Sequence, residues 1–326
     1  MKNLVCIFVY VTLMVAIACQ KDNNPGTGTT KSDFTPGKNR FTIKIDGDDR
    51  EYFVHVPKSY KGTAAVPVSF MLHGTSGDGE KFYNISGWKE VGETENIITV
   101  FPSSWKYCIT DPIAGPRTTT KWNTVPDSDW TFCNGQTPRD DIKFLTAILS
   151  ELESKYLIDL HRIYLSGFSN GGQMAAKCAI ELSDKFAAIA ENAGSFYIDF
   201  IYTPKRKLPV IFQIGNEDYG PDGTGPTIPL SKLDFLLSPS GQTVLNGRHN
   251  GIAQRHINDF MLNPKYTLSG DTTSARVANY TPSSGSGYEF RFILVSGLDH
   301  QYPNGINHPM TAARLHWEWM KQYTRP

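Results

Sequence analysis

YLSGFSNGGQ (residues 164–173) is an apolar run broken by three glycines that surround a single serine. The stretch before it, IYLSG at 163–167, reads as a buried strand, and the residues after it read as an amphipathic helix. Glycine and serine are ordinary turn residues, so the glycines could mark a simple bend. The spacing says more. Gly167-Phe168-Ser169-Asn170-Gly171 fits G-x-S-x-G, in which a strained strand-to-helix turn lifts a serine hydroxyl out of the backbone. Side chains two residues either side of such a serine would strike neighbouring backbone, which accounts for Gly167 and Gly171. The serine then stands at a helix N-terminus, where the Asn170 N–H is free to meet developing negative charge.

Working outward, short continuous apolar runs recur: VPVSFML at 66–72, IITVF at 97–101, FAAIAENAG at 186–194, PVIFQIG at 209–215 and FRFILVSG at 290–297. Continuous runs imply burial on both faces, as in a parallel sheet covered by helices. Between them, Ile142, Leu145, Ile148, Leu149, Leu152 and Tyr156 form one helical stripe, and MTAARLHWEWMKQY predicts a closing helix. Near the start, Phe41, Ile43 and Ile45 alternate, Asp46-Gly47 turns, and Tyr52, Val54 and Val56 alternate again, predicting a β-hairpin. The expectation is one α/β domain over 38–326, with a mostly parallel central sheet, helices on both faces and an N-terminal hairpin. Residues 103–139 and 219–250 break this rhythm, and such long irregular segments suit pocket walls at the strand C-termini.

Lys plus Arg and Asp plus Glu both total 32 in 326 residues, with no block of like charge, which argues against nucleic acid as the main partner. At the N-terminus, Lys2 precedes LVCIFVYVTLMVAIA, an apolar stretch too short for a comfortable membrane span but flanked like a secretory signal. Ala16-Ile17-Ala18-Cys19 resembles a lipobox, and the QKDN that follows resembles the acidic export signal of surface lipoproteins. Residues 1–18 are therefore expected to be a lipoprotein signal peptide and Cys19 the lipid anchor. Residues 19–37 would be a flexible tether, rich in Gly, Thr, Asn and Lys. The protein is expected at the outer membrane or cell surface, held to the membrane only by that lipid; a plain cleaved signal would instead leave it periplasmic or secreted. Export permits disulfides, and Cys108 with Cys133 is the expected pair because both lie in one loop-like region. Cys178 falls in a helical pattern and reads as a buried free thiol. No C-x-x-C or H-x-x-x-H cluster suggests a metal.

A nucleophilic serine needs a base. Of eight histidines, His300 directly follows the last expected strand, where the chain order serine, acid, histidine requires one. His308 precedes Pro309, His161 sits on the wrong end of the sheet, and His249 and His256 lie in or beside an apparent insertion. The acid should follow the strand after the nucleophile's, and Glu217, Asp218 and Asp222 all stand there; Asp218 is chosen, with the other two left open. A second oxyanion donor is expected from MLHGTSGDG at 71–79, the Thr75 N–H with Ser76 as a possible partner, while His73 should brace that loop.

Taken together, FMLHGTSGDG, IYLSGFSNGGQMAAKCAIELSDKFAAIAENAG, IGNEDYGP and SGLDHQYPNG resemble the esterase family of feruloyl esterases, acetylxylan esterases and polyhydroxybutyrate depolymerases (carbohydrate esterase family 1 in the broad sense). The resemblance covers most of 40–324 and implies an α/β-hydrolase fold, with Ser169 as nucleophile, Asp218 as acid and His300 as base, and no cofactor. Two departures touch the pocket: Tyr302 stands where members often carry tryptophan, and the segment between Asp218 and His300 is long. Trp105, Trp122, Trp130 and Tyr302 are the candidate pocket aromatics on which a sugar or phenolic acid would stack. The expected substrate is an acylated plant polysaccharide or oligosaccharide, losing feruloyl or acetyl groups from xylan. Polyester depolymerase, general carboxylesterase, serine peptidase and non-catalytic carbohydrate-binding lipoprotein are the alternatives.

Overall fold

The computed structural model describes residues 31–111, 115–124, 132–196, 203–218 and 225–326. The segment read as a signal peptide, the expected lipid anchor Cys19, most of the expected tether, Trp130 and Asp222 lie outside them. In chain order the elements are β1 (Gly37–Ile45), β2 (Asp48–Val56), β3 (Val66–Leu72), α1 (Gly79–Ile85), α2 (Trp88–Glu95), β4 (Ile98–Pro102), β5 (Trp105–Asp111) and β6 (Gly115–Lys121). Then come α3 (Asp141–Lys155), β7 (Ile158–Phe168), α4 (Asn170–Glu181), β8 (Ala188–Asn192), β9 (Val210–Gly215), α5 (Leu233–Leu237), α6 (Arg248–Phe260), β10 (Leu262–Gly270), β11 (Ala275–Pro282), β12 (Phe290–Val295) and α7 (Ala312–Met320).

Ten strands form one sheet in the order β1-β2-β4-β3-β7-β8-β9-β12-β11-β10. From β4 to β12 every pairing is parallel, and both margins are antiparallel. The apolar runs are continuous because both faces of the parallel strands are covered. On β12, Phe290, Phe292 and Leu294 enter one core while Ile293 and Val295 enter the other, and β9 divides in the same way. The first core lies under α3, α4 and α6; the second takes buried residues of α1, α2 and α7. The fold is that of an α/β-hydrolase.

The two irregular segments carry more structure than their composition suggests. β5 and β6 pair as a separate antiparallel hairpin, and Cys133 is disulfide-bonded to Cys108 on β5. Most of the segment 225–260 is helical turns packed on the sheet, ending in α6. β10 and β11 then extend the sheet at its far margin. At the other end, Lys31 donates its backbone N–H to Gly62 O, and the Phe34 ring packs on Tyr60, so the chain touches the domain several residues before β1. Cys178 is buried on α4 without a disulfide, and burial pushes its thiol well above its ordinary range.

Candidate active site

Ser169 stands between β7 and α4 with φ 55° and ψ −120°, a conformation that costs a non-glycine residue strain and persists only when the surroundings enforce it. The enforcement is visible. A Cβ on Gly167 would lie 2.0 Å from the Gly171 carbonyl oxygen, and one on Gly194 would lie 1.9 Å from that of Ser169. The Ser169 N–H donates to Asn192 O at 2.8 Å, anchoring the turn to the end of β8.

Three side chains from three strand ends meet in line. His300 Nε2 is 2.8 Å from Ser169 Oγ, and His300 Nδ1 is 3.0 Å from Asp218 Oδ2. Asp218 is wholly buried and His300 about a quarter exposed, its ring facing a cleft. Burial alone would raise the Asp218 carboxyl, but its hydrogen bond with His300 and the nearby Arg248 charge hold it below the usual carboxylate range. It therefore stays ionised wherever histidines titrate. The loops carrying Asp218 and His300 are clamped together: Asn216 Oδ1 accepts from the Gly297 N–H at 2.7 Å, and the Glu217 N–H donates to Leu298 O at 3.0 Å.

Two backbone donors stand beside the serine. Among the described residues neither the Asn170 N–H nor the Thr75 N–H has a hydrogen-bond partner. Thr75 is adjacent because Gly74 lies against Ser169, where an added Cβ would be 3.1 Å from Ser169 Cβ. Ser76 is not a second candidate, since its N–H already donates to Thr120 O at 3.0 Å. His73 braces the loop in one tautomer: Nδ1–H donates to Gly74 O at 2.7 Å and Nε2 accepts from the Ser104 N–H at 2.9 Å. His308 and His161 are engaged elsewhere, on Ser296 O and Arg325 O.

The cleft has a volume of about 270 Å³, with Phe82, Phe168 and Tyr302 as its aromatic wall and Gln301, Asn304 and Asn307 supplying polar groups. Here the expected aromatics need correction. Trp122 is completely buried: its Nε1–H donates to His73 O at 2.8 Å and its ring lies beside that of His73. An indole that gives its one donor to the backbone of the His73 loop is a brace, not a platform. Trp105 is half-buried, packed against the Arg50 and Arg139 guanidinium groups and away from the cleft. Tyr302 does line the cleft, but its hydroxyl turns inward to accept from Trp88 Nε1–H at 3.1 Å.

Three contributions were not read from the sequence. The Asn170 side chain accepts from the Trp122 N–H at 2.6 Å, tying the turn to the loop after β6. Phe168, the x of the motif, packs its ring 5.2 Å from that of His300; its place beside the serine was the available signal. Arg248, from the long segment, reaches Asp218.

Buried imidazoles give the fold an acid liability. Burial lowers His73 and His249 to about 4 and His316 to about 3, from an ordinary 6.5. Between 6.5 and about 4 the unfolded chain binds protons that these residues refuse in the fold, so stability falls as pH falls through that window, by up to about 1.4 kcal/mol per pH unit for each histidine. Thermal melts from pH 7.5 to 4.5 should show a Tm that declines steadily below pH 6.5. A Tm that is level over that range would contradict the burial of these rings as neutral species.

The chain has the α/β-hydrolase fold, and at the strand ends Ser169, His300 and Asp218 stand in one hydrogen-bonded line. Comparison with known proteins is consistent. The prolyl oligopeptidase family pattern matches residues 127–234, a span that holds Ser169 and Asp218 but not His300. Feruloyl esterase B of Piromyces equi is 23% identical over 281 residues, covering 85% of this chain and 46% of the relative. A bifunctional acetylxylan esterase/xylanase of Neocallimastix patriciarum is 24% identical, covering 53% of this chain and 22% of the relative. The chain thus spans about half, or less, of the length of these curated relatives. Among solved structures, an acetyl xylan esterase from Aspergillus awamori aligns with TM-score 0.54 at 14% identity, over 87% of this chain and 99% of that one, a likeness of fold. The resemblance read from the motifs is borne out at the level of an α/β-hydrolase esterase family.

Proposed function

We propose that the protein hydrolyses carboxylic esters through an acyl-enzyme, and that its substrate is a feruloylated or acetylated plant polysaccharide. The observation that carries the reaction is the hydrogen-bonded line Asp218–His300–Ser169 opening on a cleft, with two uncommitted N–H groups beside the serine. In this reading His300 takes the Ser169 proton as Oγ attacks the ester carbonyl, and the oxyanion is met by the Asn170 and Thr75 N–H groups. The alcohol leaves with the proton from His300. Water, activated by the same imidazole, then releases the acid.

The substrate assignment is supported by the relatives named above and by the cleft, where aromatic rings face amide side chains that can meet sugar hydroxyls. Export supports it too, since a polymer must be met outside the cell; the signal-like N-terminus and the Cys108–Cys133 disulfide suit an oxidising compartment. Lipid anchoring through Cys19 belongs to the same proposal. A polyester substrate is the second reading, favoured by exposed apolar side chains: Ile85, 39% exposed, lines the cleft, and Ile306, 93% exposed, lies in the chain between its lining residues Asn304 and Asn307.

Purified protein assayed on acetylated xylan, methyl ferulate and 3-hydroxybutyrate oligomers separates these. Faster hydrolysis of either of the first two is expected. Activity confined to the oligomers would transfer the assignment to polyesters, and none on any ester would remove the enzymatic reading.

A further inference from the structure

We propose that Arg248 is a positioning residue for the acid: its guanidinium fixes the second oxygen of Asp218 and ties it to the backbone that supports the nucleophile, a role that rests on the serine-hydrolase reading. Asp218 is wholly buried and has two oxygens to satisfy. Oδ2 faces His300 Nδ1 at 3.0 Å, and Oδ1 faces Arg248 Nη1 at 3.4 Å. Without a partner on Oδ1, half of a buried carboxylate would be left unpaired, and its plane would be free to turn away from the imidazole.

The other arm of the guanidinium is equally placed. Arg248 Nη2 donates to Ala193 O at 3.2 Å. Ala193 sits at φ 55°, between Asn192, whose carbonyl holds the Ser169 N–H, and Gly194, which packs on the Ser169 carbonyl. One planar cation therefore spans the acid and the support of the nucleophile, a geometry that a lysine point charge cannot reproduce.

Arg248 is itself held from behind. It is the first residue of α6, and α6 is locked to the sheet by His256, whose ring stacks on Phe290 at 4.0 Å and whose Nε2 lies 3.2 Å from Glu191 Oε1. The charged and titratable groups that act on Asp218 are His300 from the loop after β12, and Arg248 and His249 from α6. His249 is buried and neutral, so Arg248 supplies the fixed positive charge. The long segment between acid and base thus delivers a cation to the buried side of the acid.

The test compares wild type, R248Q and R248K by ester hydrolysis across pH, by pH-dependent labelling of the serine with a fluorophosphonate, and by the far-downfield proton resonance of His300 Nδ1–H. R248Q should lose about 10²-fold in kcat with KM within about twofold, since the acid–base geometry loosens while the cleft is untouched. The acid limb of its pH profile should move to higher pH, because a positive charge has left the acid–base pair. Its Nδ1–H resonance should broaden or vanish. R248K, which keeps the charge but not the fork, should fall between, and it carries the test should R248Q not fold. Unchanged kcat, pH profile and resonance in R248Q would overturn the proposal, as would a raised KM with kcat intact. A wild-type serine that resists the fluorophosphonate, with the resonance still lost in R248Q, would overturn the reaction reading and leave Arg248 as the anchor of Asp218.

Discussion

Ser169→Ala is expected to reduce kcat by about 10⁶-fold. The Ser169 hydroxyl is the atom in line with His300 Nε2, at 2.8 Å, and among the described residues no other side chain hydrogen-bonds that nitrogen. Removing it leaves the Asn170 and Thr75 donors in place, so residual binding and weak oxyanion stabilisation should persist without acyl transfer. The fold should survive: the strained turn is imposed by backbone contacts at Gly167 and Gly194 and by the Ser169 N–H, none of which uses the hydroxyl. Kinetics with acetyl and feruloyl esters, paired with a melting curve, check both halves. Activity within tenfold of wild type would mean that another residue carries the reaction.

Asp218→Asn is the second large effect, about 10⁴-fold in kcat. The substitution keeps shape but changes the direction of one proton. With its oxygen drawn toward Arg248, the new amide would turn its N–H₂ to His300 Nδ1, which must then accept. The imidazole proton moves to Nε2, and a protonated Nε2 cannot take the Ser169 proton. KM should change far less than kcat, because Asp218 lies beneath the ring and does not line the cleft. A KM-only effect would show that the carboxylate acts on substrate binding instead.

The turn around Ser169 was legible because backbone crowding leaves a compositional trace: glycines at fixed offsets between a strand run and a helix stripe. The parallel sheet was legible for a related reason, since burial on both faces excludes polar alternation. The N-terminal hairpin announced itself through Asp46-Gly47, both at positive φ. The histidine and acid positions followed from strand order.

What stayed hidden depends on contacts distant in the chain. The tryptophans at 105 and 122 look alike in sequence; only the meeting of the loop after β6 with His73 and Asn170 makes Trp122 a buried brace. Helix α6 was masked because polar residues, His249, Asn250 and His256, interrupt its inner face. Ile252, Ala253, His256, Ile257 and Phe260 are buried at helical spacing, but one of them is a histidine, Gly251 interrupts the run, and Gly, Pro and Ser precede it. His256 sits inside because Phe290 offers its ring a stacking face and Glu191 and Ile252 O meet its two nitrogens. β10 and β11 are marginal strands with one solvated side, too polar to stand out. Arg248 could not be read at all, since nothing in its neighbours points to Asp218.

The most direct measurement is the site of the acyl-enzyme. Wild-type protein mixed with a slowly deacylated p-nitrophenyl ester, quenched in acid and digested, should carry one acyl group on the peptide containing GFSNGG, with fragmentation placing it on Ser169. An acyl group on another residue, or a burst of p-nitrophenol with no covalent adduct, would contradict the account.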